Sequence, residues 1–383
     1  MSQRLTALKG ASIFDGDQFC QDSVLLLCGP RLGGIVATQD VPTDADVIDL
    51  AGGYLVPGFV DLQVNGGGGA MLNDTQDVET LRTIAQAHAC IGATSILPTL
   101  ITDTPAHVQG AIQAVEDAIA ADVPGILGLH LEGPHLSNAR KGAHDATLIR
   151  PMSDADLDVL LDAAARLPVL KITVAPENVS NDQIEALCNA GALVSLGHTN
   201  ADFDTCLDAV KAGARCVTHL FNAQSQISGR EPGTVGAALA LGELSAGLIA
   251  DGVHVHPASM SLALEAKRGP GQIFLVSDAM ATAGTDIESF TLNSRTIHRD
   301  GNRLTLSDGT LAGAHLELAT AIGNLVEMCG VPLEDAVAMA SKIPAALIGA
   351  SHVGGLAKGR QSDVLHLNDS LQIEKAWQRG QMI

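Results

Sequence analysis

The sequence predicts a (β/α)8 TIM barrel flanked by a small β-sandwich built from both chain ends. Three observations point there. From Tyr54 onward, apolar runs of strand length alternate with stretches of helical period. Eight such runs stand at 55–64, 94–97, 126–131, 170–174, 193–196, 216–220, 246–249 and 273–276. Both ends hold only short β-prone runs without helical period. Strand-then-helix units in that number close into a barrel. The structural alternative is a doubly wound open sheet, which carries a spaced glycine fingerprint after its first strand. Here Asn65-Gly66-Gly67-Gly68-Gly69 lacks that spacing, and no acidic residue ends the next strand. This run reads as a flexible loop over the site.

In order along the chain, residues 1–52 offer strands at 6–14, 23–28 and 34–38, then Val47-Ile48-Asp49-Leu50. Helices are expected at 78–90, 106–120, 155–167, 183–190, 205–212 and 258–267, with Asp77, Ser153 and Asp154 as good capping types. A β-like insert at 290–306 turns at Arg299-Asp300-Gly301-Asn302, a hairpin signal. Helices at 315–328 and 332–348 follow. The tail shows short strands at 363–367, 371–373 and 376–378, expected to pair with the N-terminal unit. The expected division is therefore 1–52 plus 354–383 as the sandwich and 53–353 as the barrel.

The 383 residues are 46% hydrophobic but only 2% aromatic, so the core is aliphatic. A net charge of -21 argues against nucleic acid as a partner. It leaves small anions open, since these need only a local cluster of positive groups. No apolar run reaches the ~18 residues of a membrane span, and the first residues open no apolar signal core. The cytoplasm is the expected location. Seven scattered cysteines, with no close Cys-x-x-Cys pair, read as small core residues.

In such a barrel the carboxyl ends of the strands build the active site. The third strand ends at Glu132, before Gly133-Pro134. The fifth and sixth end at His198 and His219, the seventh runs into Asp251-Gly252-Val253-His254, and the eighth ends at Asp278. One histidine at a strand end is ordinary packing; His, His, His and Asp in succession are not. Two imidazoles and a carboxylate make a catalytic metal set with an open position, supplied here by Glu132, His198 and His219. Asp278 is placed to carry a proton. His254 is left to polarise a carbonyl or hold a substrate hydroxyl. On the first strand Asp61, Gln63 and Asn65 share a face. Histidines at 63 and 65 would make a second metal site, but amides are poor ligands. The chain reads as a one-metal enzyme with vestigial second-metal positions at Gln63 and Asn65. Lys171 begins its strand rather than ending it, so a bridging modified lysine is not expected. His130 shares Glu132's face, and either supports the site or fills the barrel. Arg230, in the loop Ser228-Gly229-Arg230-Glu231-Pro232-Gly233, suits a bidentate hold on phosphate or a local pair with Glu231.

This layout resembles the amidohydrolase superfamily and, more narrowly, its deacetylases of N-acetylglucosamine 6-phosphate. The matching stretches run through nearly the whole chain. They include Pro57-Gly58-Phe59-Val60-Asp61, His130-Leu131-Glu132-Gly133-Pro134, Lys141-Gly142-Ala143-His144 and Leu196-Gly197-His198-Thr199. Thr218-His219-Leu220-Phe221-Asn222-Ala223, Gly229-Arg230-Glu231-Pro232-Gly233, Val276-Ser277-Asp278-Ala279 and Leu311-Ala312-Gly313 follow. The resemblance implies one divalent metal on Glu132, His198 and His219, with zinc first and iron, manganese or cobalt also accepted. It implies Asp278 as general base and acid. It implies a phosphate held at Asn222, Ala223 and an Arg230 reaching in from a neighbouring subunit, hence a homodimer. Ala143, His144, His254, Leu311, Ala312 and Gly313 match positions around the sugar and acetyl group. The implied reaction releases acetate and glucosamine 6-phosphate, in amino-sugar catabolism or cell-wall sugar recycling. Two departures stand near the expected site: Gln224 after Asn222-Ala223, where Met is common, and His135, where a large apolar residue is common.

Two other readings stay open on the sequence. A different amidohydrolase acting on cyclic amides or acetylamino acids would want a second metal and no phosphate-binding arginine. A metal-binding or sugar-sensing protein on the same fold would not need Asp278.

Overall fold

A computed structural model describes residues 5–293 and 295–383. The first four residues of the expected sandwich segment and Ser294 of the expected insert lie outside the described residues. The centre is an eight-stranded parallel sheet whose neighbours follow chain order. Its strands are β1 (Val60–Val64), β2 (Ser95–Ile101), β3 (Leu129–Glu132) and β4 (Leu170–Val174). They continue with β5 (Leu193–Leu196), β6 (Cys216–Val217), β7 (Ser245–Leu248) and β8 (Ile273–Leu275). Beyond β8, the Asp278 N–H donates to Gln63 O and the Asn65 N–H to Ala279 O. A parallel bridge of Val64 with Ala279 completes the closure. Buried Asp61 adds to this seam by accepting from the Ser277 N–H; burial pushes its carboxyl up to about 7.

Helices alternate with these strands, and their sequences explain their ends. Asp77 caps α1 (Val78–Cys90) by accepting from Thr80 N. Ser153 and Asp156 form a reciprocal capping box on α3 (Asp154–Arg166). α2 (Pro105–Ala120), α4 (Asn181–Asn189), α5 (Phe203–Lys211) and α7 (Pro257–Ala266) fall where periodicity expects them. α6 (Gly233–Ala240) was not expected. Gly233 through Leu239 are all buried, so it shows no amphipathic period to read. After the barrel come α8 (Leu318–Cys329), α9 (Leu333–Ala340) and α10 (Lys342–Leu347), so the helix expected over 332–348 is two.

The strand expected over 55–64 is also two. Tyr54–Pro57 lies in a six-stranded sheet, between the strands Ser12–Phe14 and Val364–Leu367, while β1 belongs to the barrel. Pro57 and Gly58 mark the break. A Cβ at Gly58 would come 2.1 Å from Thr94 Oγ1, so only glycine lets the chain pass. Leu5–Lys9 and Ser12–Phe14, expected as one run, likewise lie in different sheets, separated at Gly10 with φ +84°. The four-stranded sheet of Arg31–Ala37, Ser23–Cys28, Leu5–Lys9 and Asp46–Asp49 packs on the six-stranded one. Leu8, Leu25, Leu55, Val364 and Trp377 share their common core. The C-terminal strands thus pair with N-terminal ones as expected.

The run 65–69 is not a flexible loop. Gly66–Gly67 pairs with Ala70–Met71, and the Gly68 and Gly69 N–H groups donate to Ala283 and Ala281. His88 of α1 bonds Gly66 O at 2.9 Å. Glycine is required here because the backbone lies against α1; a Cβ at Gly67 would come 2.9 Å from His88. The insert is a four-stranded antiparallel sheet, Ser289–Leu292, Arg295–Asp300, Arg303–Thr305 and Leu311–Ala314, with its hairpin at Gly301-Asn302.

Tight seams give a first prediction. At Gly128, just before β3, a Cβ would lie 2.1 Å from Val169 O. Gly128→Ala is expected to destabilise by about 1–3 kcal/mol, the usual overpacking cost, with a lower thermal midpoint. Gly323→Ala on α8 is the control. Its methyl meets nothing within 4 Å, and the helix favours alanine.

Candidate metal and substrate site

The site stands at the carboxyl ends of the barrel strands. Glu132 closes β3, paired between Ile101 and Thr173. His198, His219 and Asp278 sit just past β5, β6 and β8, with positive φ of 47°, 27° and 52°. Such backbone costs about 1–3 kcal/mol per residue and clusters at functional sites. Each turn aims a side chain at the barrel axis.

The side chains converge tightly. Glu132 Oε1 lies 2.9 Å from His219 Nε2 and 3.2 Å from His198 Nε2, and the two imidazole nitrogens are 3.1 Å apart. All three residues are nearly fully buried. Burial pushes the Glu132 carboxyl up, but the adjacent His198 and His219 rings outweigh it and hold the group well below its usual range. The His198 Nδ1–H donates to Arg140 O at 2.8 Å, which leaves Nε2 as the inward lone pair. A carboxylate oxygen and two ring nitrogens within 4.8 Å of one another fit a divalent cation.

Asp278 stands beside this set. Burial, then the Glu132 charge, pushes its carboxyl up. Its Oδ1 accepts from Asn65 Nδ2 at 2.7 Å and Gln63 Nε2 at 3.0 Å. Gln63 Nε2 also lies 3.2 Å from both Glu132 oxygens. The strand-one amides are donors into both carboxylates.

A cavity of ≈ 380 Å³ opens above. Ala143, His144, Asn222, Ala223, His254, Leu311 and Gly313 line it together with the metal set and Asp278. Ala312 does not line it; it is buried in a cluster with Met71 and the lining residue Met280. Arg230 is exposed and lies outside its own chain's cavity. Glu231 does not occupy it: that carboxylate accepts from the N–H groups of Phe203 and Gly233. Neither departure lines the cavity. Gln224 is buried and ties its loop by donating to Thr218 O and accepting from Phe221 N. His135 bonds Arg150 O behind β3.

His130 lies below the site rather than in it. Its ring joins Thr99 to Thr173, which continues through Thr218 to Ser195 across the barrel. Buried Lys171 is at the same depth and donates to Leu62 O, away from the cavity. Sequence reasoning missed three supporting groups. Asp251 Oδ2 accepts from His254 Nδ1 at 2.6 Å, legible only as an acidic residue three before a histidine. Thr102 holds His144 Nδ1 at 2.7 Å, and Arg140 reaches the cavity wall. Neither left a signal in the sequence beyond nearness to a motif.

The profile of the amidohydrolase family matches residues 54–381. An N-acetylgalactosamine-6-phosphate deacetylase from Shewanella sp. (strain ANA-3) is 43% identical, over 87% of this chain and 84% of that protein. An N-acetylglucosamine-6-phosphate deacetylase from Haemophilus influenzae is 33% identical over 96% of each. The solved N-acetylglucosamine-6-phosphate deacetylase from Pasteurella multocida is 34% identical and superposes with a TM-score of 0.94 over 99% of both chains. Among the described residues no helix is long and apolar enough to cross a membrane. With profile, sequence relatives and fold in agreement, the chain belongs to the amidohydrolase family.

Proposed function

We propose that this enzyme hydrolyses the acetamide of N-acetyl-D-glucosamine 6-phosphate, giving D-glucosamine 6-phosphate and acetate. The observation that carries the proposal is the convergence of Glu132, His198 and His219 next to a buried Asp278, beneath a sugar-sized cavity. The names of the similar proteins supply the phosphosugar. A second reading, the galactosamine epimer, is favoured by the 43% identical relative named for it.

Glu132, His198 and His219 would hold one divalent metal, zinc first, which polarises a carbonyl and acidifies water when bound. Asp278 takes the proton of the attacking water as its oxygen bonds to the acetyl carbon. The same carboxyl returns that proton to the sugar nitrogen as the C–N bond breaks. His254, oriented by Asp251, and His144, oriented by Thr102, hold the acetyl and hydroxyl groups. Burial, then His198, holds the His144 ring well below its ordinary pKa, so it serves as a neutral hydrogen-bonding group. The phosphate is assigned to Asn222, the Ala223 N–H and an Arg230 from the partner of a homodimer. An Arg230 exposed outside its own cavity supports a role in a partner's site. The reaction is assigned to the cytoplasm; seven free cysteines suit a reducing compartment.

The test is acetate release from both epimers by purified protein, with metal content measured on the same sample. Turnover with one metal per chain is expected. Two metals without turnover would favour a cyclic-amide hydrolase, and one metal without turnover a sugar sensor. Within the same assay, Arg230→Ala should raise KM for the phosphorylated sugar by about tenfold or more, the loss of a charge-assisted bidentate hold. The gap to the unphosphorylated sugar should narrow. An unchanged preference would remove Arg230 from the phosphate site.

A further inference from the structure

We infer that Gln63 and Asn65 are positioning residues that fix the Asp278 carboxylate for proton transfer and hold it in register with Glu132. The inference rests on the reading of Asp278 as the proton carrier. It gives both positions a use in the one-metal site.

A carboxylate is free to rotate about its last side-chain bond, and either oxygen then meets the substrate. Here that freedom is removed. The two amide nitrogens, spaced by two residues on one face of β1, both donate to Oδ1 of Asp278, at 3.0 and 2.7 Å. That oxygen is occupied. Oδ2 receives no hydrogen bond among the described residues, and Asp278 lines the cavity. The geometry therefore makes Oδ2 the oxygen that takes the proton and gives it back.

Gln63 does a second job. Its Nε2 stands between Asp278 and both oxygens of Glu132. Two buried carboxylates this close repel each other. An amide nitrogen has two hydrogens and can give one to each, which separates the charges as a bridging cation would but adds no charge. A different observation points the same way. The amide oxygens, Gln63 Oε1 and Asn65 Oδ1, are buried without a partner. Buried polar atoms are seldom left so. The chain leaves both acceptors unpaired while committing both nitrogens to carboxylates, so the nitrogens are the ends the site uses.

The test uses the metal-loaded enzyme with Asn65→Leu, and the metal-free protein with Gln63→Met. Asn65→Leu is expected to lose about 30-fold or more in kcat, within the usual range for general acid–base effects, with KM nearly unchanged and one metal per chain. If it keeps kcat within about threefold of wild type, or loses metal and rate together, the positioning role is overturned. Should Asn65→Leu not fold, Asn65→Ser, which keeps one donor at shorter reach, is expected to show a smaller loss of kcat with KM nearly unchanged; a wild-type rate overturns the role. Gln63→Met is expected to bind zinc about tenfold more weakly, as changes behind a metal ligand do; unchanged affinity overturns the hold on Glu132. That titration needs no substrate, so it decides the hold even if wild-type protein releases no acetate.

Discussion

Asp278→Asn lowers kcat by about 10³-fold, near the middle of the range for a lost general acid–base group, while metal content and KM stay close to wild type. The substitution is nearly isosteric. It removes only the ability to accept a proton and return it, because an amide oxygen is a far weaker base. The amides of Gln63 and Asn65 still find an acceptor oxygen, so the residue stays in place. Steady-state kinetics with metal analysis on the same sample decides it. A variant that keeps more than about a tenth of the wild-type rate would move the proton transfer to another group, with His254 the next to examine.

Glu132→Gln abolishes turnover by a different route. The carboxylate provides the only formal negative charge among the three proposed ligands, and an amide oxygen is a poor substitute. The variant is expected to retain less than about a tenth of a metal per chain after dialysis, in line with the dependence of such sites on deprotonated ligands. Rate should fall with occupancy, not independently of it. Added zinc at high concentration should recover part of the activity, whereas it recovers none in Asp278→Asn. That contrast separates binding of the metal from use of the proton. Full occupancy in Glu132→Gln would break the ligand assignment.

The barrel was legible because buried parallel strands read as continuous apolar runs and their helices as amphipathic ones. Legibility failed where that contrast vanishes. α6 is apolar all round, and the backbone near 57 and 10 changes sheets without changing composition. The site's charged members were visible because a buried histidine or acid at a strand end is costly without a purpose. Their supports were not. Thr102, Arg140 and the donor role of Gln63 depend on which atoms meet across the barrel, and spacing along one strand does not carry that information. Reading Gln63 and Asn65 as poor ligands was sound chemistry; what they do instead emerged only once Asp278 and Glu132 were seen opposite their nitrogens.

The break at Pro57-Gly58 also bears on the order of assembly. The strand leading directly into β1 is held on one side by Val364–Leu367, and Gly52 meets His366 at a sequence separation of 314. Contacts so distant along a chain form late. During synthesis every ligand and Asp278 emerge from the ribosome well before that partner strand does. The strand leading into β1 is therefore paired on one side only, with Ser12–Phe14, when the last catalytic group appears. Its other edge closes only when the far segment docks, so the six-stranded sheet is the last to be completed.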